Sequence, residues 1–94
     1  MTVAMLTLNL YLHGCNSLKE KRSRIKPLVM RLHREFNISA AEMDYLDSWQ
    51  NAQIACVIVS NDSAHNQRSL QHIVDWLERY WPDVEVVSDQ IEQI

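Results

Sequence analysis

Residues 3–13 carry the clearest secondary-structure pattern of the chain, and they read Val-Ala-Met-Leu-Thr-Leu-Asn-Leu-Tyr-Leu-His. Alternate residues of this run are all apolar, namely Ala4, Leu6, Leu8, Leu10 and Leu12. The positions between them are mixed in character, from Val3 to Tyr11. A period of two is typical of a β-strand with one buried face. The run therefore predicts a strand whose second face is either partly solvated or covered by another element.

A capping box follows this strand and starts a helix. Ser17 and Glu20 stand three residues apart, so the Ser17 side chain can accept from the third helical N–H, and Glu20 can reach back to the Ser17 N–H. One helical stripe then collects the apolar residues Leu18, Ile25, Leu28, Val29, Leu32 and Phe36. Pro27 lies inside the helix, where we expect it to kink the axis or to tighten the first segment.

The rest of the chain alternates between strand and helix patterns. It predicts a weak strand at 36–43, a polar loop at 44–50, a strong strand at 53–60, a helix that follows the cap residues 61–63 and ends near 81, and a last strand at 84–94. The strand at 53–60 is apolar on both faces, which indicates a central position in a sheet.

The predicted order is therefore βαββαβ, within a single domain that covers residues 1–94. We expect an α+β fold of the ferredoxin-like kind, with a four-stranded antiparallel sheet and two helices on one of its faces. The first and third strands would be central. The other sheet face would have no helix to cover it, and it offers few aromatic side chains for base stacking, so we expect it to pair with a second copy in a homodimer.

Composition excludes several classes of protein. With 47% hydrophobic and 22% charged residues, the chain is an ordinary globular sequence. Cys15 and Cys56 are too few for a disulfide framework, and no signal peptide or membrane-spanning run is visible, so we expect a cytoplasmic protein with free thiols and no membrane association. No spacing indicates a metal site, a cofactor loop or a Ser/His/Asp arrangement, which favours a non-catalytic protein without cofactors.

Charge is divided unevenly along the chain. Residues 1–36 carry seven basic and two acidic residues, whereas residues 37–94 carry two basic and ten acidic residues, for a net charge of −3. The candidate anion-binding or nucleic-acid-binding residues are concentrated in the first helix: Lys19, Lys21, Arg22, Arg24 and Lys26. Because Lys19, Arg22 and Lys26 are three and four residues apart, they share one helical stripe. The plainer interpretation is a solvated helix face.

Four motifs in order resemble the YlxP-like family of small bacterial proteins, a domain family of unknown function. They are Ser-Leu-Lys-Glu-Lys-Arg at 17–22, Arg-Leu-x-x-x-Phe-Asn-x-Ser-x-Ala-Glu at 31–42, Trp-Gln-x-Ala at 49–52 and Val-Ser-Asn-Asp-x-x-His at 59–65. The resemblance implies a ferredoxin-like fold and a genomic association with translation initiation and ribosome maturation. It implies no activity. The chain departs from the family pattern at Asn51, where arginine is common.

Three functions remain open on the sequence alone. The first is binding of ribosomal RNA or a ribosome-associated complex through the basic helix, by contacts to phosphates. The second is a homodimeric interaction module that docks an acidic protein. The third is a small-ligand or enzymatic site near Asp62 and His65, although an N-cap role for Asp62 explains the same residues without an unseen partner.

Overall fold

A computed structural model describes all 94 residues of the chain. Its elements are β1 (Thr2–Tyr11), α1 (Leu18–Glu35), β2 (Ser39–Asp44), β3 (Asn51–Ser60), α2 (Ser63–Tyr80) and β4 (Glu85–Gln93). The order βαββαβ and the antiparallel pairing of all neighbouring strands confirm the predicted ferredoxin-like fold. The strand order is β2-β3-β1-β4, so β1 and β3 are central as expected.

The alternation in β1 determines where the core lies. The whole predicted apolar set, from Ala4 to Leu12, is buried, and β3 contributes Ile54, Cys56 and Ile58 to the same face. In the register of β1 and β3, Leu6 lies opposite Cys56. Both helices cover this face with apolar stripes, and the buried hydrophobic residues of the chain form one cluster.

The first helix is continuous through Pro27, so the proline does not split it. Pro27 is exposed, and the carbonyl that loses its intrahelical partner belongs to Ser23, which is exposed as well. Water can hydrate that carbonyl, and the buried side of the helix keeps its hydrogen bonds. At the helix start, Ser17 Oγ accepts from the Glu20 N–H at 3.0 Å as predicted, but Glu20 reaches the N–H of Asn16, not that of Ser17.

The second strand begins later than predicted, at Ser39 and not at Phe36. Phe36 instead ends α1, because its N–H donates to the carbonyl of Leu32 at 3.0 Å. Its ring packs against the core edge. The third strand begins two residues earlier than predicted, at Asn51.

Candidate anion-binding groove

The outer face of α1 carries a row of cations. Arg22, Lys26 and Arg34 are spaced by multiples of four residues, so they lie along one side of the helix. All three are exposed, as is Lys19 one turn before them. The opposite side of α1 is buried through Ile25, Leu28 and Leu32, which forces this row towards solvent.

An open groove of about 410 Å³ runs along this face. Its cationic residues are Arg22, Lys26, Arg31 and Arg34, and its apolar residues are Pro27, Met30 and Trp81. Trp81 comes from the C-terminal end of α2, so the tertiary structure brings a distant aromatic residue beside the basic helix. The groove therefore combines positive charge with an apolar surface.

Most of these cations have no acidic partner. Arg31 pairs with Glu35, with 2.8 Å between Nε and Oε1. Neither Arg22 nor Lys26 nor Arg34 takes part in an ion pair, although the chain carries twelve acidic residues. Like charges four residues apart on a helix repel one another. A bound anion would relieve that repulsion.

The sequence made Lys21 a candidate anion-binding residue, but in the structure it does not belong to the exposed row. It is only 1% exposed. Its ammonium group lies 2.9 Å from Glu42 Oε2 and donates to the carbonyl of Tyr45 at 2.5 Å. The signal was present in the spacing, because position 21 falls on the buried stripe between Leu18 and Ile25.

Arg24 is also committed to the fold. Its guanidinium donates from Nε to Asp83 Oδ2 at 2.9 Å, from Nη2 to the Asp83 carbonyl at 2.6 Å and from Nη1 to the His13 carbonyl at 3.0 Å. Burial lowers the pKa of Arg24, but the hydrogen bond and the attraction to Asp83 outweigh it and raise that pKa above the ordinary value. Arg24 thus clamps α1 to the loop before β4.

Aromatic residues extend the groove at its C-terminal end. A second open cavity, of about 400 Å³, is lined by Arg31, Glu35, Trp76, Tyr80 and Trp81. It shares Arg31 and Trp81 with the first cavity, so the two form one continuous surface. The sequence alone does not connect Trp76 and Tyr80 with the basic helix, because no local pattern reports that the end of α2 lies beside α1.

Asp62 and His65 lie elsewhere, at the start of α2. Asp62 is the N-cap and accepts from the N–H groups of Ala64 at 2.9 Å and His65 at 3.3 Å, which confirms the capping interpretation. The His65 ring is 3.4 Å from Ser69 Oγ and makes no hydrogen bond to the Asp62 carboxylate. His65 lines an open cavity of about 330 Å³, but Asp62 does not.

Other reactive groups are dispersed or buried. Cys15 and Cys56 are both free thiols with no exposed surface, and burial raises the pKa of Cys56 to about 12. No three His, Cys, Asp or Glu side chains gather in a way that could hold a metal ion. Neither helix is long and apolar enough to cross a membrane.

Comparison with known proteins places this architecture in a family. Residues 3–91 match the family model described as "Protein of unknown function (DUF503)". The chain belongs to the DUF503 family. It is also 30% identical over 74 residues to the "Uncharacterized protein YlxP" of Bacillus subtilis (strain 168), an alignment that covers 79% of each chain. The resemblance seen in the sequence motifs is thereby confirmed.

Membership of DUF503 establishes the family but no activity, since its description and that of the relative both leave the function open. The groove on α1 must therefore be interpreted from its own chemistry. It offers unpaired cations beside an aromatic surface, whereas the Asp62 region offers a carboxylate already used as a helix cap.

Proposed function

We propose that this member of DUF503 is a non-catalytic cytoplasmic protein that binds RNA, in the setting of the ribosome, through the outer face of α1. The single observation that carries the proposal is the row formed by Arg22, Lys26 and Arg34, which has no acidic partner and lines one open groove. Lys19 adds a fourth unpaired cation at the start of the same helix. Lys21 and Arg24 are left out because the fold uses them.

The electrostatic argument favours a ligand over a solvated helix face. From Arg22 to Arg34 the row covers about 18 Å of helix, long enough to meet several consecutive phosphates. The chain is acidic overall, so its surface does not attract nucleic acid indiscriminately. Binding would be confined to the groove, where arginine and lysine contact phosphates without reading sequence directly.

An acidic protein could use the same charges, and the association with translation that the family resemblance implies favours RNA between the two. Arginine forms paired hydrogen bonds with phosphate as well as with carboxylate, so charge alone does not distinguish RNA from an acidic protein. The apolar part of the groove supplies a further argument, because nucleotide bases present flat apolar faces that Trp81 and Met30 can contact.

Co-sedimentation with ribosomal subunits tests this proposal. The variant Arg22→Ala/Lys26→Ala removes two groove cations, and the control Arg68→Glu reverses one exposed cation on α2; both take the net charge from −3 to −5. We expect the double variant to lose co-sedimentation and the control to retain it. If the parent does not co-sediment at low salt, or if both variants bind as well as the parent, the groove is not an RNA site.

The uncovered sheet face favours a homodimer as the form of the protein. On this face Met5 lies opposite Val57, and Val3 lies opposite Val59, which is 59% exposed. A second copy related by a two-fold axis would cover the same apolar pairs on both molecules. Analytical ultracentrifugation of the parent and of Val57→Asp checks this: a dimer that Val57→Asp converts to a folded monomer is expected, and a monomeric parent would overturn it.

A further inference from the structure

Trp81 occupies an unusual position at the junction of the two cavities. Its backbone N–H ends α2 by donating to the Leu77 carbonyl at 2.9 Å, and its half-buried side chain borders both the cationic groove and the aromatic cavity. The exposed part of this indole lies beside exposed arginines and contributes little to the hydrophobic core. That exposed part is available to a ligand.

The indole of Trp81 is held in place by other aromatic rings. It stacks on Trp76, with 5.8 Å between ring centroids and 29° between ring planes. Trp76 in turn meets the Phe36 ring edge to face at 5.8 Å and 89°. A platform that is already ordered loses little conformational entropy when a ligand stacks on it.

Cations border the same platform. Arg31 lines both cavities together with Trp81, and Arg34 lines the groove one turn away from Met30. The ion pair of Arg31 with Glu35 is about half exposed, at 47% and 37% of the side chains, so solvent screens it and a phosphate can compete for the guanidinium. Base stacking and phosphate contact are thus available within one continuous surface.

We propose that the RNA bound by α1 is single-stranded, with a base stacked on Trp81 and the neighbouring phosphates along Arg34, Lys26 and Arg22. This inference rests on the RNA-binding function proposed above and names the form of the RNA. The combination of a positively charged groove with an aromatic platform is the arrangement by which proteins hold single strands. In a duplex the base faces are already stacked on one another, so only the phosphates would be available to the groove.

An acidic peptide would satisfy the cations but would leave the indole without a stacking partner. Carboxylates do not offer an aromatic face, whereas every base does. The observations therefore favour a single strand over a peptide, and the peptide serves as one arm of the test.

The test measures binding of three labelled probes by fluorescence anisotropy: a single-stranded oligouridylate of about 12 nucleotides, chosen to fit the usual site sizes, a blunt RNA duplex of the same length and an oligoglutamate. The variants are Trp81→Leu and Trp81→Phe. Trp49→Leu is the control, because Trp49 is a 49% exposed indole in the loop between β2 and β3, outside both cavities. Thermal melting verifies that each variant is folded.

We expect the single strand to bind the parent at least 10-fold more tightly than either other probe. Trp81→Leu should weaken that binding by about 10-fold or more, on the scale of one lost base stack. Trp81→Phe should lose less, and Trp49→Leu should bind as the parent does. If Trp81→Leu does not fold, the preference for single strand over duplex and a loss of single-strand affinity in Trp81→Phe relative to the parent still decide the question.

The outcomes separate this inference from the function on which it rests. Equal binding of single strand and duplex, lost in Arg22→Ala/Lys26→Ala but unchanged in the Trp81 variants, would overturn the stacking inference and leave the RNA-binding proposal standing. Tight binding of oligoglutamate alone, or no binding of any probe, would overturn both.

Discussion

Lys21 and Glu42 form an ion pair between the inner side of α1 and strand β2. The ammonium of Lys21 is 2.9 Å from Glu42 Oε2, and the side chains are 2% and 20% exposed. Glu42 Oε2 receives no hydrogen bond in this pair, so the contact is mainly electrostatic. The same ammonium donates to the carbonyl of Tyr45, a residue with a positive φ of 61°. A single lysine thus fixes both the end of β2 and the loop that follows it.

Removing Lys21 should destabilise the protein. In Lys21→Met, the largely buried Glu42 carboxyl would lose its partner, and we expect the free energy of unfolding to fall by about 2–4 kcal/mol. Lys21→Met/Glu42→Met should recover much of that loss, because it removes both charges. Urea denaturation measures the effect, with the exposed Lys19→Met as a control that should change by less than about 0.5 kcal/mol. A Lys21→Met variant as stable as the parent would show that the pair contributes nothing.

Affinity for single-stranded RNA should fall as the salt concentration rises, and the steepness of that fall should increase with the number of groove cations that contact phosphates. If Arg22, Lys26 and Arg34 each neutralise one phosphate, raising salt from about 50 to about 200 mM should weaken binding about 20-fold. Arg34→Ala should reduce the slope of log affinity against log salt concentration by the contribution of roughly one phosphate contact, and Arg68→Ala should leave that slope unchanged. Anisotropy titrations across the salt series measure both slopes. A salt-independent affinity would contradict phosphate contact.

Alkaline pH should destabilise the fold through Cys56. Burial raises the pKa of this thiol from its ordinary value of 9.0 to about 12. Above pH 9 the unfolded chain has lost the thiol proton while the folded protein still holds it, so stability is lost as pH rises between these two values. The free energy of unfolding should fall by roughly 1 kcal/mol per pH unit in this window. Denaturation of the parent and of Cys56→Ala measures the difference in slope, and parallel curves would refute the assignment.

The N-cap of α2 should contribute measurably to stability. Asp62→Ala removes the acceptor of the Ala64 and His65 N–H groups and should cost about 1 kcal/mol, whereas Asp62→Asn keeps an acceptor and should cost less. His65→Ala leaves the cap intact and should change the unfolding free energy little. Thermal melting of the three variants compares them. A larger loss for His65→Ala than for Asp62→Ala would contradict the capping role.

Local patterns predicted most of the fold correctly. The alternation from Ala4 to Leu12 identified the core face of β1, and the apolar character of residues 53–60 identified a central strand. Both caps, at Ser17 and Asp62, were readable because N-capping depends on residues only two or three positions apart. The predicted boundaries of β2 and β3 were less accurate, because the first residue of a strand depends both on where the preceding element ends and on the register with the neighbouring strand.

The candidate site also combines features that local patterns predict with features that they do not. Local sequence was enough to predict that α1 is basic and that Lys19, Arg22 and Lys26 share a face, because helical spacing alone relates them. Three further features became visible only in the folded protein. Lys21 is buried against Glu42, Arg24 forms an ion pair with Asp83, and Trp81 borders the groove. Such contacts join residues far apart in the chain, and their formation depends on how the helices pack on the sheet. No periodicity within one segment carries that information.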